Sequence, residues 1–156
     1  MEIDSLLALA WQIAEHESRL LGSREIEPIH FLLGALKIVD PEFPNQLEKL
    51  DLSTEDWKAM CKEAVRVRHY LDIMPDKICQ IRRRVRRRLA RTASDCLSDK
   101  VQIHRSRKSR AAFFDAQIQL EGKVVTLLQL MRSMFELDFL DVSEMRWRGT
   151  TRIKTT

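Results

Sequence analysis

The stretch of this chain with the most distinctive chemistry is a run of arginines near its middle. Guanidinium groups neutralise phosphates, which would give salt-sensitive binding to nucleic acid. They also form paired hydrogen bonds with the carboxylates of an acidic protein partner. A third interpretation is a solvated helix face that balances acidic residues of the same chain. Seven of the ten positions from 82 to 91 are arginine, namely Arg82, Arg83, Arg84, Arg86, Arg87, Arg88 and Arg91.

The charge of the chain is unevenly distributed around this run. The formal net charge is +4. Residues 71–110 carry 13 Lys and Arg against 4 Asp and Glu, so a mildly acidic body carries one strongly basic section. Because no aromatic residue lies among the arginines, a stacking platform for single-stranded nucleic acid is disfavoured. We therefore rank the solvated helix face first, an acidic protein partner second and nucleic acid last.

Residues that could support catalysis or metal binding do not form a recognisable motif. Cys61, Cys79 and Cys96 are far apart and include no C-x-x-C pair, which argues against a zinc or redox site and favours a reducing, cytoplasmic compartment. His30 lies at the start of an apolar helix, where a buried, hydrogen-bonded structural role is expected. The chain has no G-x-x-x-x-G-K-[ST] loop for ATP phosphates. We expect no enzymatic activity, no cofactor and no metal.

Composition predicts the scaffold that positions these groups. The chain has 156 residues, of which 44% are apolar and 32% charged, as in a globular domain with a real core. Only four Gly and four Pro are present, too few turn-forming residues for a many-stranded fold. The longest uncharged apolar stretch is far shorter than a membrane span, so we expect no membrane association. An all-α fold follows.

Apolar residues recur at three- and four-residue steps and predict seven or eight helices. Helices are expected to begin at residues that can cap an N-terminus or occupy the first turn. These starts are Asp4 or Ser5, Pro28, Ser53, Pro75, Ser106 and a position after Gly122, with a further short helical piece from Gln46 to Leu50. The helix from Pro75 is expected to run as far as Ala93, with a buried stripe beneath its arginines.

Two parts of the chain follow one plan. Leu20-Leu21-Gly22, a short connector and an apolar helix are mirrored by Leu120-Glu121-Gly122 and a second apolar helix. Each part alone leaves an apolar face uncovered, so two related halves packed about a pseudo-twofold axis are expected.

The first of these parts resembles a known family. Ala10 and Ala14, then Leu21-Gly22, then the run from Ile26 to Leu36 are similar to the repeat of the Clp N-terminal domain, which precedes the ATPase modules of Clp-type unfoldases and disaggregases. The second repeat departs from the pattern, with Gln129 at the histidine position. The resemblance implies repeat one at about 4–70, a basic connecting helix at about 75–97 and repeat two at about 104–141. These make up a domain over 1–141 that is followed by a polar, basic tail at 142–156, with Trp147 as a candidate exposed aromatic.

The resemblance implies a non-catalytic protein-binding module that recognises polypeptide clients or adaptors for a Clp-type ATPase. Phosphoarginine binding, which some members carry out through a Glu before the histidine, is not expected, because Ile29 and Leu128 occupy those positions. The candidate peptide-binding residues are Phe113, Phe114, Ile118 and Leu128. Alternatives are a helical nucleic-acid-binding protein that uses the 82–91 helix, or a free-standing regulator of Clp machinery.

Overall fold

The computed structural model describes residues 1–43, 53–90 and 95–141 of the chain. These residues form six α-helices, one 3-10 turn and two short strands, so the all-α prediction is confirmed. The helices are α1 (Ser5–Leu20), α2 (Pro28–Val39), α3 (Thr54–Leu71), α4 (Ile78–Ala90), α5 (Arg107–Gln119) and α6 (Leu127–Glu136). The 3-10 turn is Pro75–Lys77, and the strands are β1 (Glu25–Ile26) and β2 (His104–Arg105).

Five of the described helix starts lie where the sequence predicts them, because a polar side chain caps the helix or a proline occupies its first turn; α4 begins at Ile78, after a 3-10 turn at the predicted start Pro75. The Asp4 carboxylate accepts a hydrogen bond from the Leu7 N–H at 2.7 Å, and Pro28 occupies the first turn of α2. Further caps are made by the side-chain oxygens of Ser53, Ser106 and Thr126. Each cap satisfies a backbone donor that has no partner inside its own helix.

Within residues 1–43, 53–90 and 95–141 the six helices are slightly fewer than the seven or eight predicted for the whole chain. Four predicted features lie outside the described residues: the short helix at 46–50, Arg91, the end of the Pro75 helix at Ala93, and the tail at 142–156 with Trp147. The connecting helix does not extend to residue 97, since residues 95–103 form bends, turns and irregular chain. Arg19 at the end of α1 holds this connector, with its Nη1 donating to the carbonyls of Ser98 and Val101 at 2.8 and 2.7 Å.

Short parallel β-pairings connect the two halves of the chain. Residue Ile3, just before α1, bridges Val125, just before α6. Strand β1, just before α2, pairs in parallel with β2, just before α5. In each half, the segment before the first helix thus pairs with the segment between the two helices of the other half. This reciprocal pairing fixes the orientation of the helix pair α1 and α2 relative to the pair α5 and α6.

Aromatic rings from both halves meet in the core. The ring of Phe113 on α5 lies 5.0 Å from that of Trp11 on α1 and 5.3 Å from that of Phe31 on α2, in tilted and edge-on geometries. Helices α1 and α2 approach closely at Gly34, where a β-carbon would lie 2.8 Å from the carbonyl oxygen of Ala10. No helix of the described residues is long and apolar enough to span a membrane.

Candidate protein-binding surface

The arginines of helix α4 lie on different sides of the helix, and one side of the helix is a buried apolar stripe. Ile78, Ile81 and Val85 are fully buried and follow the helical repeat along one side of the helix. Arg82 and Arg86 each follow a residue of that stripe by one position, so they lie beside it. Arg83 and Arg87 lie on the outer side.

Arg86 pairs with a buried carboxylate of α1. Its Nε donates to Oε2 of Glu17 at 2.9 Å, and its Nη2 donates to Oε1 of the same residue. The Glu17 side chain is only 2% exposed. Such two-point contacts match the planar guanidinium to the planar carboxylate. This arginine therefore stabilises the fold and is not available to a partner.

Arg82 is also directed into the protein. Its Nη1 lies 4.0 Å from Oδ2 of Asp40 at the end of α2, and both side chains are mostly buried. The Nε of Arg82 is buried and has no hydrogen-bond partner among the described residues. Two members of the predicted arginine patch thus make ion pairs within the chain.

The outer arginines have a different environment. Arg83 and Arg87 are exposed, and their side chains make no ion pair or hydrogen bond within the described residues. Arg84 is half-buried and Arg88 is exposed, while Arg91 lies outside the described residues. Fewer arginines are therefore accessible to an external partner than the seven arginines of the sequence suggest.

Of the four predicted peptide-binding residues, Phe113 lies in the core. It is 1% exposed and contacts the rings of Trp11 and Phe31. The physical reason is its position on α5, where it shares the inward face with Ala112 and Ala116. It has no accessible surface to offer a peptide.

Phe114 and Ile118 lie on the outer face of α5. Their side chains are 65% and 59% exposed. Residues four apart on a helix are surface neighbours, so the two form one apolar patch. Leu128 on α6 is half-buried and packs against the core. Helices α5 and α6 are tied together at their polar edge, where Nε2 of Gln129 donates to Oε1 of Gln119 at 2.9 Å.

Arg105 on β2 makes a contact that the sequence does not indicate. Its guanidinium lies 4.6 Å from the ring centroid of Trp11 and 4.7 Å from that of Phe113. Partial burial lowers the pKa of Arg105, and the charge of Arg110 lowers it further. The cation covers the aromatic cluster of the core. No local motif could have indicated it, because the rings come from α1 and α5.

His30 has the structural role predicted for it. It is buried, and its Nδ1 accepts a hydrogen bond from the N–H of Glu27 at 2.9 Å. Burial lowers the pKa of His30 to about 4, against an opposing effect of the Glu17 carboxylate. The imidazole is therefore neutral near pH 7, as an acceptor at a helix start must be.

A cavity that sequence reasoning missed lies where the C-terminal end of α2 meets α3. Its volume is about 240 Å³, and most of its lining is apolar. Its residues are distant in sequence, so no motif marks it. Among the described ranges, no three His, Cys, Asp or Glu side chains are placed to hold a metal ion.

No family model matches this chain, and neither the curated proteins nor the solved structures contain a match to it.

Proposed function

We propose that this chain is a non-catalytic protein-binding module, and that α5 binds an apolar segment of a polypeptide. The observation that carries the proposal is the exposed pair Phe114 and Ile118, one helical turn apart. Contiguous exposed apolar patches are a feature of protein-interaction sites. An apolar pair of this spacing suits an apolar peptide segment laid along the helix.

The scaffold around α5 favours a rigid presenting surface. The reciprocal pairings of Ile3 with Val125 and of β1 with β2 tie the two halves together. Given the resemblance of the segment up to Leu36 to the Clp N-terminal repeat, the proposed partners are polypeptide clients or adaptors of a Clp-type ATPase. The association of this chain with a Clp-type ATPase is likewise a proposal.

The direct test is binding of a fluorescein-labelled peptide rich in Leu and Phe, followed by fluorescence anisotropy. We expect the double variant F114S/I118S to weaken binding about tenfold or more, which corresponds to ~1.4 kcal/mol. The matched control is L20S/M74S, which removes two exposed apolar side chains elsewhere on the surface. Equal loss in both variants, or no loss in F114S/I118S, would contradict the proposal. Circular dichroism checks that each variant remains folded.

A second candidate is nucleic-acid binding through α4, favoured by Arg83 and Arg87, which are exposed and have no ion pair or hydrogen bond to any described residue. The variant R83E/R87E should abolish any such binding and leave peptide binding intact. The affinity for nucleic acid should also fall steeply with salt. A chain that retains no nucleic acid at low salt has no such function.

A regulator of the Clp machinery, the remaining alternative, would bind the ATPase itself. Co-purification with a Clp-type ATPase, persisting in the F114S/I118S variant, would favour that alternative over client binding. Recovery of the ATPase that depends on Phe114 and Ile118 would instead make the ATPase or its adaptor the ligand of α5.

A further inference from the structure

The cavity between α2 and α3 combines an apolar interior with a cation. Its apolar lining comes from three helices and from the turn after α2. These residues include Leu6, Val39, Phe43, Met60 and Val65. Among the described residues, only Asp40 and Arg68 bring charge to it. A cavity of about 150 Å³ holds a benzene ring, so 240 Å³ accommodates one large apolar side chain.

The two charged groups differ in what they already contact. The carboxylate of Asp40 accepts a hydrogen bond from the N–H of Glu42 at 3.1 Å and lies 4.0 Å from Arg82. Arg68 is half-buried, and its guanidinium makes no ion pair or hydrogen bond within the described residues. Within the part of the chain that the structure describes, the cavity thus has one negative charge that is already compensated and one positive charge that is not.

We propose that this cavity binds the C-terminal residue of a client polypeptide, with a large aliphatic side chain inside it and the terminal carboxylate paired with Arg68. The proposal rests on the polypeptide binding proposed above and adds to it a second site, lined by no residue of α5, for the end of the polypeptide. A C-terminal residue is the one place in a polypeptide where an apolar side chain carries its own carboxylate. That carboxylate is ionised at neutral pH and matches the guanidinium in two-point geometry.

Other ligands fit the same observations less well. An internal acidic residue would bring charge without an apolar side chain, and an internal leucine would bring no charge to Arg68. A fatty acid shares the chemistry, but a long acyl chain exceeds the 240 Å³ available. A polypeptide C-terminus satisfies both the volume and the charge.

The test uses a fluorescein-labelled peptide ending in Ser-Ser-Leu-Leu, prepared as the free acid and as the C-terminal amide. Wild-type protein should bind the acid about tenfold more tightly than the amide, since a paired charge is lost in the amide. The variant R68Q should bind both peptides equally. V65D, which places a negative charge at an exposed position of the lining, should weaken binding of the acid more than that of the amide. R24Q, which changes an exposed arginine outside the cavity, should behave as wild type.

Each other result overturns the proposal. Equal binding of acid and amide by wild-type protein excludes carboxylate recognition. A preference for the acid that survives in R68Q places the recognition elsewhere. Binding of decanoate without binding of the peptide makes the cavity a lipid site. If F114S/I118S loses peptide binding and the wild-type protein shows no preference for the acid over the amide, this proposal is contradicted but the proposed function is not.

Discussion

The guanidinium of Arg86 and the carboxylate of Glu17 join α4 to α1 across 69 residues of sequence. Because Glu17 is almost completely buried, its charge has lost most of its contact with water and depends on this partner. One arginine of a strongly basic run is thereby assigned to the stability of the fold.

Removing Arg86 should therefore be costly. We expect R86M to lower the free energy of unfolding by about 3–5 kcal/mol, because it leaves a buried carboxylate uncompensated. The double variant E17L/R86M should recover most of that loss, since an apolar pair needs no compensation. Urea titrations of the three proteins measure both effects. The exposed neighbour provides the control: R87M should change stability by less than about 0.5 kcal/mol, and a similar loss in R86M and R87M would contradict the assignment.

The buried His30 predicts a particular dependence of stability on pH. Its folded pKa is about 4, below the usual 6.5, so the unfolded chain binds more protons between these values. Stability then falls as the pH drops from about 6.5 towards about 4, by about 3 kcal/mol in total from this one group. Below the lower value both states are protonated, and the contribution no longer changes.

The variant H30Q separates this effect from the titration of carboxylates. Glutamine offers an oxygen to the N–H of Glu27 but does not titrate. Between about pH 7 and about pH 4, wild-type protein should lose about 3 kcal/mol more stability than H30Q. Parallel pH profiles for the two proteins would show that His30 is not buried as a neutral group.

Substitution of Gly34 should destabilise the protein even when the new residue is alanine. Alanine normally favours a helix over glycine by up to about 1 kcal/mol, but here its β-carbon would lie 2.8 Å from the backbone oxygen of Ala10. We expect G34A to destabilise by about 1–3 kcal/mol, as α1 and α2 move apart. Thermal unfolding of G34A measures this, and an increase in Tm would mean that the helices do not approach so closely.

The neighbours Phe113 and Phe114 should respond differently to truncation. F113A leaves a cavity in the aromatic cluster and should cost about 3–5 kcal/mol. F114A removes an exposed ring and should change stability by less than about 0.5 kcal/mol, while it weakens peptide binding. Urea denaturation combined with the anisotropy assay distinguishes a core role from a surface role for each ring.

Helix boundaries were accessible from the sequence because capping is local. Asp4, Ser53 and Ser106 each accept a hydrogen bond from a backbone N–H three residues ahead, so residue type and spacing suffice to identify them. His30 was equally accessible, since its partner Glu27 lies three residues before it.

The candidate surfaces were only partly accessible. Periodicity shows that α5 has a buried face, but the boundary between Phe113 and Phe114 depends on where α1 and α2 lie against that helix. The cavity beside Arg68 and the contact of Arg105 with Trp11 bring together residues from distant segments, and no local pattern encodes such proximity.

By itself the sequence determined an all-α chain, the starts of its helices and the high charge of the segment around Arg86, because these depend on neighbours within one or two helical turns. Only the tertiary structure decided how that charge is used. It directs Arg82 and Arg86 towards Asp40 and Glu17 and leaves Arg83 and Arg87 in solvent. The physical reason is that the energy of an ion pair depends on burial and on distance in space, and both are set by the packing of α4 against α2 and the end of α1.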